Sequence, residues 1–167
     1  DLPDLPGARS LARGPVTLAR ASQGWDIRQV HANPDPAGAN VDIKNDLSGG
    51  ASSVTLRLDQ GARRGGGELG TDGLVARGAR DMEAALAGVD LERTAISLQA
   101  GAAFLPAVSA LMAVVGRHGS EAAKLTGSFG ADPLASLAEA GGLPGPLARH
   151  MEALGALAAW SDENTPG

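Results

Sequence analysis

The chain reads as an α/β protein built on a parallel sheet. Two patterns carry that reading. Short segments of alternating polarity recur at Ser53–Leu58, Thr94–Gln99 and Leu125–Gly130. Each is followed by a stretch in which apolar residues return every three or four positions, the spacing of one helix face. Strand, helix, strand, helix, strand, helix is the order of a parallel sheet joined by helical crossovers. Such crossovers are right-handed almost without exception. Three strands cannot close a barrel, so the sheet is either small and open or completed by strands beyond Gly167.

Residues 1–33 read as an extended N-terminal arm, since Pro, Gly and Arg dominate residues 1–24 and periodicity is weak. Asn33-Pro34 is a helix start, a capping side chain followed by proline. Ala39, Ile43 and Leu47 then mark a helix over 34–48, stopped by Gly49-Gly50. Val54, Leu56 and Leu58 share one face of the first strand. A glycine-rich loop runs from Gln60 to Gly73. Val75, Ala79, Met82 and Leu86 set a helix over 73–87. Ile96 and Leu98 alternate with Ser97 and Gln99 in the second strand. Phe104, Leu105, Val108, Leu111, Met112 and Val115 define a strongly apolar helix ending near Arg117-His118-Gly119. Leu125–Gly130 is a third, short strand, and Asp132-Pro133 restarts a helix. A last helix over 144–159 carries Leu147, Met151, Leu154 and Ala158 on one side. Residues 34–167 thus form the domain.

Strands buried on both faces read as continuous apolar runs. Here each has one polar face: Thr55 and Arg57, Ser97 and Gln99, Thr126 and Ser128. Unpaired burial costs about 1–3 kcal/mol per polar group. These faces therefore meet water, one another or a polar ligand. A polar barrel lumen and an ordinary sheet with a wet face both satisfy this.

Other motifs are weaker. Gly65-Gly66-Gly67-Glu68-Leu69-Gly70 matches GxGxxG between a strand and a helix, the setting of a dinucleotide site. The loop before it is long, however, and no acidic residue ends the second strand to read a ribose. His31, His118 and His150 lack metal-ligand spacing and read as surface residues, His118 favoured at a helix C-terminus. There is no GxSxG, and acidic pairs such as Asp81 and Glu83 read as solvated charge. The residues alone name no active site.

Composition narrows the classes further. The 167 residues are 43% hydrophobic, so a core of Leu, Val, Ile and Ala is available; aromatics are 2% and tyrosine is absent. A net charge of −5 and the lack of a basic stripe argue against nucleic acid. Without cysteine there is neither a disulfide framework nor a thiolate metal site. No run of about 18 apolar residues stands out as a membrane span. With no signal-peptide pattern in its first residues, the chain is expected in the cytoplasm. It starts at Asp1 without an initiator methionine and is read as a piece of a longer polypeptide.

Arg13-Gly14-Pro15, then Gly24-Trp25-Asp26-Ile27-Arg28-Gln29, resembles the methylmalonyl-CoA mutase family, whose members carry an RGP segment, a tyrosine-bearing stretch, then proline-tryptophan and IRQ. The register continues through Asn40, Leu47 and Gly50 to Asp59. Leu86-Ala87-Gly88-Val89-Asp90-Leu91 is similar to the family's F-x-G-I-P-L turn. Ala95-Ile96-Ser97-Leu98 with Ala103-Phe104-Leu105-Pro106 is similar to its second strand and helix. Leu125-Thr126-Gly127-Ser128, with Asp132, is similar to its L-T/A-G-T-I-Q-N-D strand end. The likeness covers about residues 13–137.

The resemblance implies the N-terminal part of a (β/α)8 TIM barrel, with three strand–helix units visible, and adenosylcobalamin-dependent interconversion of methylmalonyl-CoA and succinyl-CoA. It implies a separate cobalamin domain and an acyl-CoA arm threading the barrel axis past small hydroxyls. Ser97, Gln99 and Ser128 are the lumen-facing candidates for substrate contact. The departures point elsewhere. The family's catalytic tyrosine falls at Arg20, the arginine before proline-tryptophan at Gln23, and the substrate-contacting glutamine at Gly130. Its substrate-binding histidine and cobalamin domain would lie beyond residue 167. These losses, with Asp26-Ile27-Arg28 and Gly130-Ala131-Asp132-Pro133-Leu134, resemble the family's small, non-catalytic subunit. No catalytic residue is expected in this chain. The cofactor would serve the holoenzyme rather than this segment, the partner would be the catalytic mutase subunit in a heterodimer, and the acyl-CoA would sit in that partner. A divergent catalytic mutase is one alternative. A free-standing acyl-CoA or nucleotide-binding domain is another.

Overall fold

Ile96 of one strand faces Val54 of the next across a ladder that runs the same way in both, and this pairing organises the domain. The computed structural model describes residues 25–66 and 72–165. Its elements are β1 Arg28–His31, α1 Pro36–Ser48, β2 Ser53–Arg57, α2 Gln60–Arg63, α3 Ala79–Ala85, β3 Ala95–Gln99, α4 Phe104–His118, β4 Gly127–Ser128, α5 Pro133–Ala140 and α6 Leu147–Asn164. Single 3₁₀ turns lie at Gly101–Ala103 and Ala122–Lys124.

The four strands are parallel and lie in the order β1-β2-β3-β4. A sheet that never reverses its order keeps its crossovers on one side, as a (β/α)8 barrel does; a doubly wound sheet reverses at a switch point. The core agrees. Val54, Leu56, Ile96 and Leu98 are buried against Ile43 of α1, Met82 of α3 and Phe104, Leu111 and Val115 of α4, in one cluster. Burying each such side chain is worth about 1.5–3 kcal/mol. The α/β class, the parallel sheet and the partial barrel are therefore all present.

Four differences from the sequence reading have physical causes. Arg28–His31 is a strand, so the arm expected over 1–33 gives way to the sheet before residue 33. Its sequence shows no apolar alternation because an edge strand is held by backbone bonds to β2. The sheet has four strands among the described residues, not three. Gln60–Arg63 is a short helix in place of loop, capped by Asp59, which accepts from the Gly61 amide at 2.9 Å. α3 starts at Ala79 rather than 73, because Leu74 bridges to Leu58 and the Val75 amide donates to the Pro34 carbonyl, which keeps that segment extended.

Smaller adjustments follow the same logic. Asp35, not Asn33, caps α1, accepting from the Gly38 amide at 2.8 Å. The last helix begins at Leu147 and runs to Asn164, and its stripe of Leu147 and Met151 faces outward while Leu157 is buried. Phe129 at the end of β4 meets Trp160 of α6, ring centroids 6.3 Å apart. His31, expected on the surface, is 4% exposed. It lies in register with Leu56, on the apolar side of β1. Gly101–His118 has a mean hydropathy of 1.3 over 18 residues, enough by composition to cross a membrane. Its apolarity is accounted for by Phe104, Ala107, Val108, Leu111, Val114 and Val115, all buried in the core.

Candidate functional site

Residues in register on parallel strands project to the same face. Thr55, Ser97 and Ser128 are in register across β2, β3 and β4, and Arg57 is in register with Gln99 one step nearer the carboxyl ends. The polar strand face is therefore real, and it is arranged in two rows. Ser97 is buried and its Oγ has no hydrogen-bond partner. The Ser128 Oγ accepts from the Gly130 amide at 3.2 Å. Gln99 is exposed.

The three candidates do not converge on one pocket. Gln99 lines a cleft of about 200 Å³ with Arg57, Gln60, Arg63, Arg64, Gly101, Ser136, Glu139 and Ala140. Ser128 lines a separate hollow of about 140 Å³ with Ile96, Leu111, Phe129, Ser161 and Thr165. Ser97 lines neither.

The first cleft lies at the carboxyl ends of β2 and β3, where barrel enzymes place their sites. Arg63 forms its floor. This guanidinium is 9% exposed, donates from Nε to the Leu58 carbonyl at 2.9 Å and from Nη2 to Asp72 at 2.8 Å, and lies 3.6 Å from Glu139. Arg57 shares Asp72 at 3.2 Å, while its buried Nε has no partner. Sequence reasoning missed Arg63 and Arg64 because they are the last residue and the C-cap of α2, inside a stretch read as loop. The Asp59 cap, four residues before Arg63, was the available signal.

Gly130, two residues past the end of β4, has φ +58°. A β-carbon built there would overlap the carbonyl oxygen of Leu98, well inside the 3.0 Å that real β-carbons keep. Gly127 is similarly pressed on Ile96. The strand end thus approaches β3 so closely that position 130 has no room for a side chain.

Other sequence candidates separate. Gly65 and Gly66 follow α2 rather than a strand, and residues 67–71 lie outside the described residues. A dinucleotide turn runs directly from strand to helix, so its setting is lost. Arg20 and Gln23 also lie outside the described residues.

A parallel, unreversed sheet with helices on its apolar side and a polar cleft at its carboxyl ends defines the class: an α/β domain of barrel type. Comparison with known proteins is more specific. The profile of the family described as Methylmalonyl-CoA mutase matches residues 1–167, and this chain belongs to that family. It is 33% identical over 136 residues to the methylmalonyl-CoA mutase small subunit of Streptomyces virginiae, covering 81% of this chain and 20% of that protein. It is 25% identical over 141 residues to the methylmalonyl-CoA mutase of Rhizobium meliloti (strain 1021), covering 80% and 20%. The mitochondrial methylmalonyl-CoA mutase of Mus musculus is 25% identical over 143 residues, covering 80% and 19%. The chain thus spans about one fifth of the length of these relatives.

Adenosylcobalamin, which the family implies, does not fit the described residues. The larger cleft, about 200 Å³, is below the roughly 300–1,000 Å³ of pockets that enclose drug-sized ligands, and a corrin is larger still. None of His31, His118 or His150 lines it, so no axial imidazole faces it.

Proposed function

We propose that this chain is part of the small, non-catalytic subunit of an adenosylcobalamin-dependent methylmalonyl-CoA mutase, a structural partner of the catalytic subunit. One observation carries the reading. Where the family resemblance puts a substrate-contacting glutamine, this chain has Gly130, and the Leu98 carbonyl occupies the space a side chain would need. The loss is built into the backbone, so a rotamer change cannot reverse it.

Arg57 strengthens the case. It puts a guanidinium on the polar strand face, held by Asp72 at 3.2 Å, in register with Gln99. Radical rearrangement is the cofactor's chemistry, and the protein's part is to orient substrate and exclude water. A chain without the orienting amide, and with a cation on the same polar strand face, is unsuited to hold a thioester there. The 33% identity to a protein called a small subunit points the same way.

The test is acyl-CoA binding. The full-length polypeptide, purified without its partner, is titrated with a non-reactive succinyl-CoA analogue in a calorimeter. No heat is expected beyond that of coenzyme A alone, so that the acyl group adds nothing to binding. Stoichiometric binding tighter than that of coenzyme A alone, and strengthened by Arg57→Ala, would favour a divergent catalytic mutase instead.

A further inference from the structure

Among the described residues, the cleft at the ends of β2 and β3 is left with unmet demand for negative charge. Three guanidiniums, Arg57, Arg63 and Arg64, line it, and two carboxylates, Asp72 and Glu139, answer them. Asp72 is shared: its Oδ2 takes both Arg57 at 3.2 Å and Arg63 at 2.8 Å. Arg63 is committed, with the Leu58 carbonyl and both acids as partners. Arg64, exposed at the mouth, makes no ion pair or side-chain hydrogen bond among the described residues. The side-chain amides of Gln60 and Gln99 are likewise uncommitted, and the buried Arg57 Nε has no partner. Donors in excess of acceptors, around a hollow of about 200 Å³, describe a receptor for something compact, anionic and rich in oxygen acceptors.

We propose that this cleft binds a phosphate-type oxyanion. Arg64 supplies the charge-assisted bonds, Gln60 and Gln99 supply neutral ones, and Arg57 and Arg63, both held by Asp72, fix the floor. The volume admits one oxyanion with its waters and not a nucleotide base and sugar beside it. This goes beyond the partner-subunit reading and does not depend on it, because the site uses arginines and glutamines rather than an acyl-orienting group.

Inorganic phosphate is the first probe, titrated into the full-length polypeptide at low ionic strength and followed by calorimetry and by the shift in Tm. Saturable one-to-one binding is expected, weakening as sodium chloride is raised. Arg64→Gln should lower the affinity about tenfold, the value of one charge-assisted hydrogen bond, with Tm in phosphate-free buffer unchanged because Arg64 is exposed and unpaired. Gln99→Ala should lower it several-fold. Arg117→Gln, which removes the exposed pair with Glu83 elsewhere on the surface, should leave it unchanged. Coenzyme A is the second arm: tighter binding than free phosphate, lost equally in Arg64→Gln, would identify a phosphate carried by a larger molecule. No saturable binding of either probe, or binding indifferent to Arg64→Gln, overturns the proposal. The subunit assignment is read from the acyl-dependent part of binding and from turnover, which phosphate and coenzyme A do not report, so the two can fail separately.

Discussion

Gly130 lies beneath the carbonyl of Leu98, and the two backbones are too close for any side chain to stand between them. The relationship joins fold to function in one place. β4 closes on β3 at the end where the family's ligand chemistry is expected, and it does so by using a left-handed glycine. Restoring the amide should therefore harm the protein without helping catalysis. Gly130→Gln is expected to cost about 2 kcal/mol or more, from the left-handed φ and the overlap together. Urea denaturation of the full-length polypeptide measures the loss, and a mutase assay on the same sample should register no gain.

His31 should make stability depend on pH. Burial pushes its pKa below the ordinary 6.5, with the nearby Asp46 and Asp42 carboxylates opposing. The Asp46 carboxylate is 3.7 Å from Nε2, which has no hydrogen-bond partner. As pH falls, the unfolded chain takes up the proton first. The contribution of the neutral buried ring is thus complete above pH 6.5 and is lost progressively below it. The urea midpoint should drop between about pH 7.5 and about pH 5.5, and His31→Leu should flatten that window. Asp26 acts lower. Burial raises its pKa, but bonds with Ser52, Ser53 and Arg28 outweigh this and leave it below 3.8. Its share of stability is therefore present above 3.8 and fades only as pH falls through its folded value.

The two arginines at the end of α2 should behave oppositely. Arg63→Met strips the Leu58 carbonyl and Asp72 of a buried donor and is expected to cost about 2–4 kcal/mol. Arg64→Gln should stay within about 0.5 kcal/mol. Thermal unfolding of the two variants, side by side, decides whether α2 is a structural element or a loose loop.

Asn40 is a tie between helices. Its Nδ2 donates to the carbonyls of Ala85, the last residue of α3, at 2.9 Å and of Ala87, just past it, at 3.0 Å. Asn40→Ala leaves both without that donor and should lower stability by about 1–3 kcal/mol, with faster hydrogen exchange confined to α3 and the turn after it.

The sequence exposed the parts of this fold where side chains decide the outcome. Val54, Leu56, Ile96 and Leu98 alternate because one face is packed and the other is not, so β2 and β3 were readable to within a residue. Asp132-Pro133 announced α5, and Asp132 does cap it, accepting from the Ala135 amide at 2.8 Å. β1 was hidden because an edge strand needs only backbone partners, and Arg28-Gln29-Val30-His31 shows no buried stripe. α2 was hidden by the glycines around it. The candidate site suffered accordingly. Gln99 could be placed from the strand pattern, whereas the Arg63 floor depends on a helix the pattern did not show. The close approach at Gly130 is a matter of backbone geometry that no residue type announces by itself.

Turnover tests the central claim most directly. The full-length polypeptide is assayed alone with adenosylcobalamin and methylmalonyl-CoA, and again after mixing with the catalytic subunit. No succinyl-CoA is expected from the chain alone, with activity in the mixture that scales with the catalytic subunit. Sustained succinyl-CoA formation by the isolated polypeptide would contradict the account.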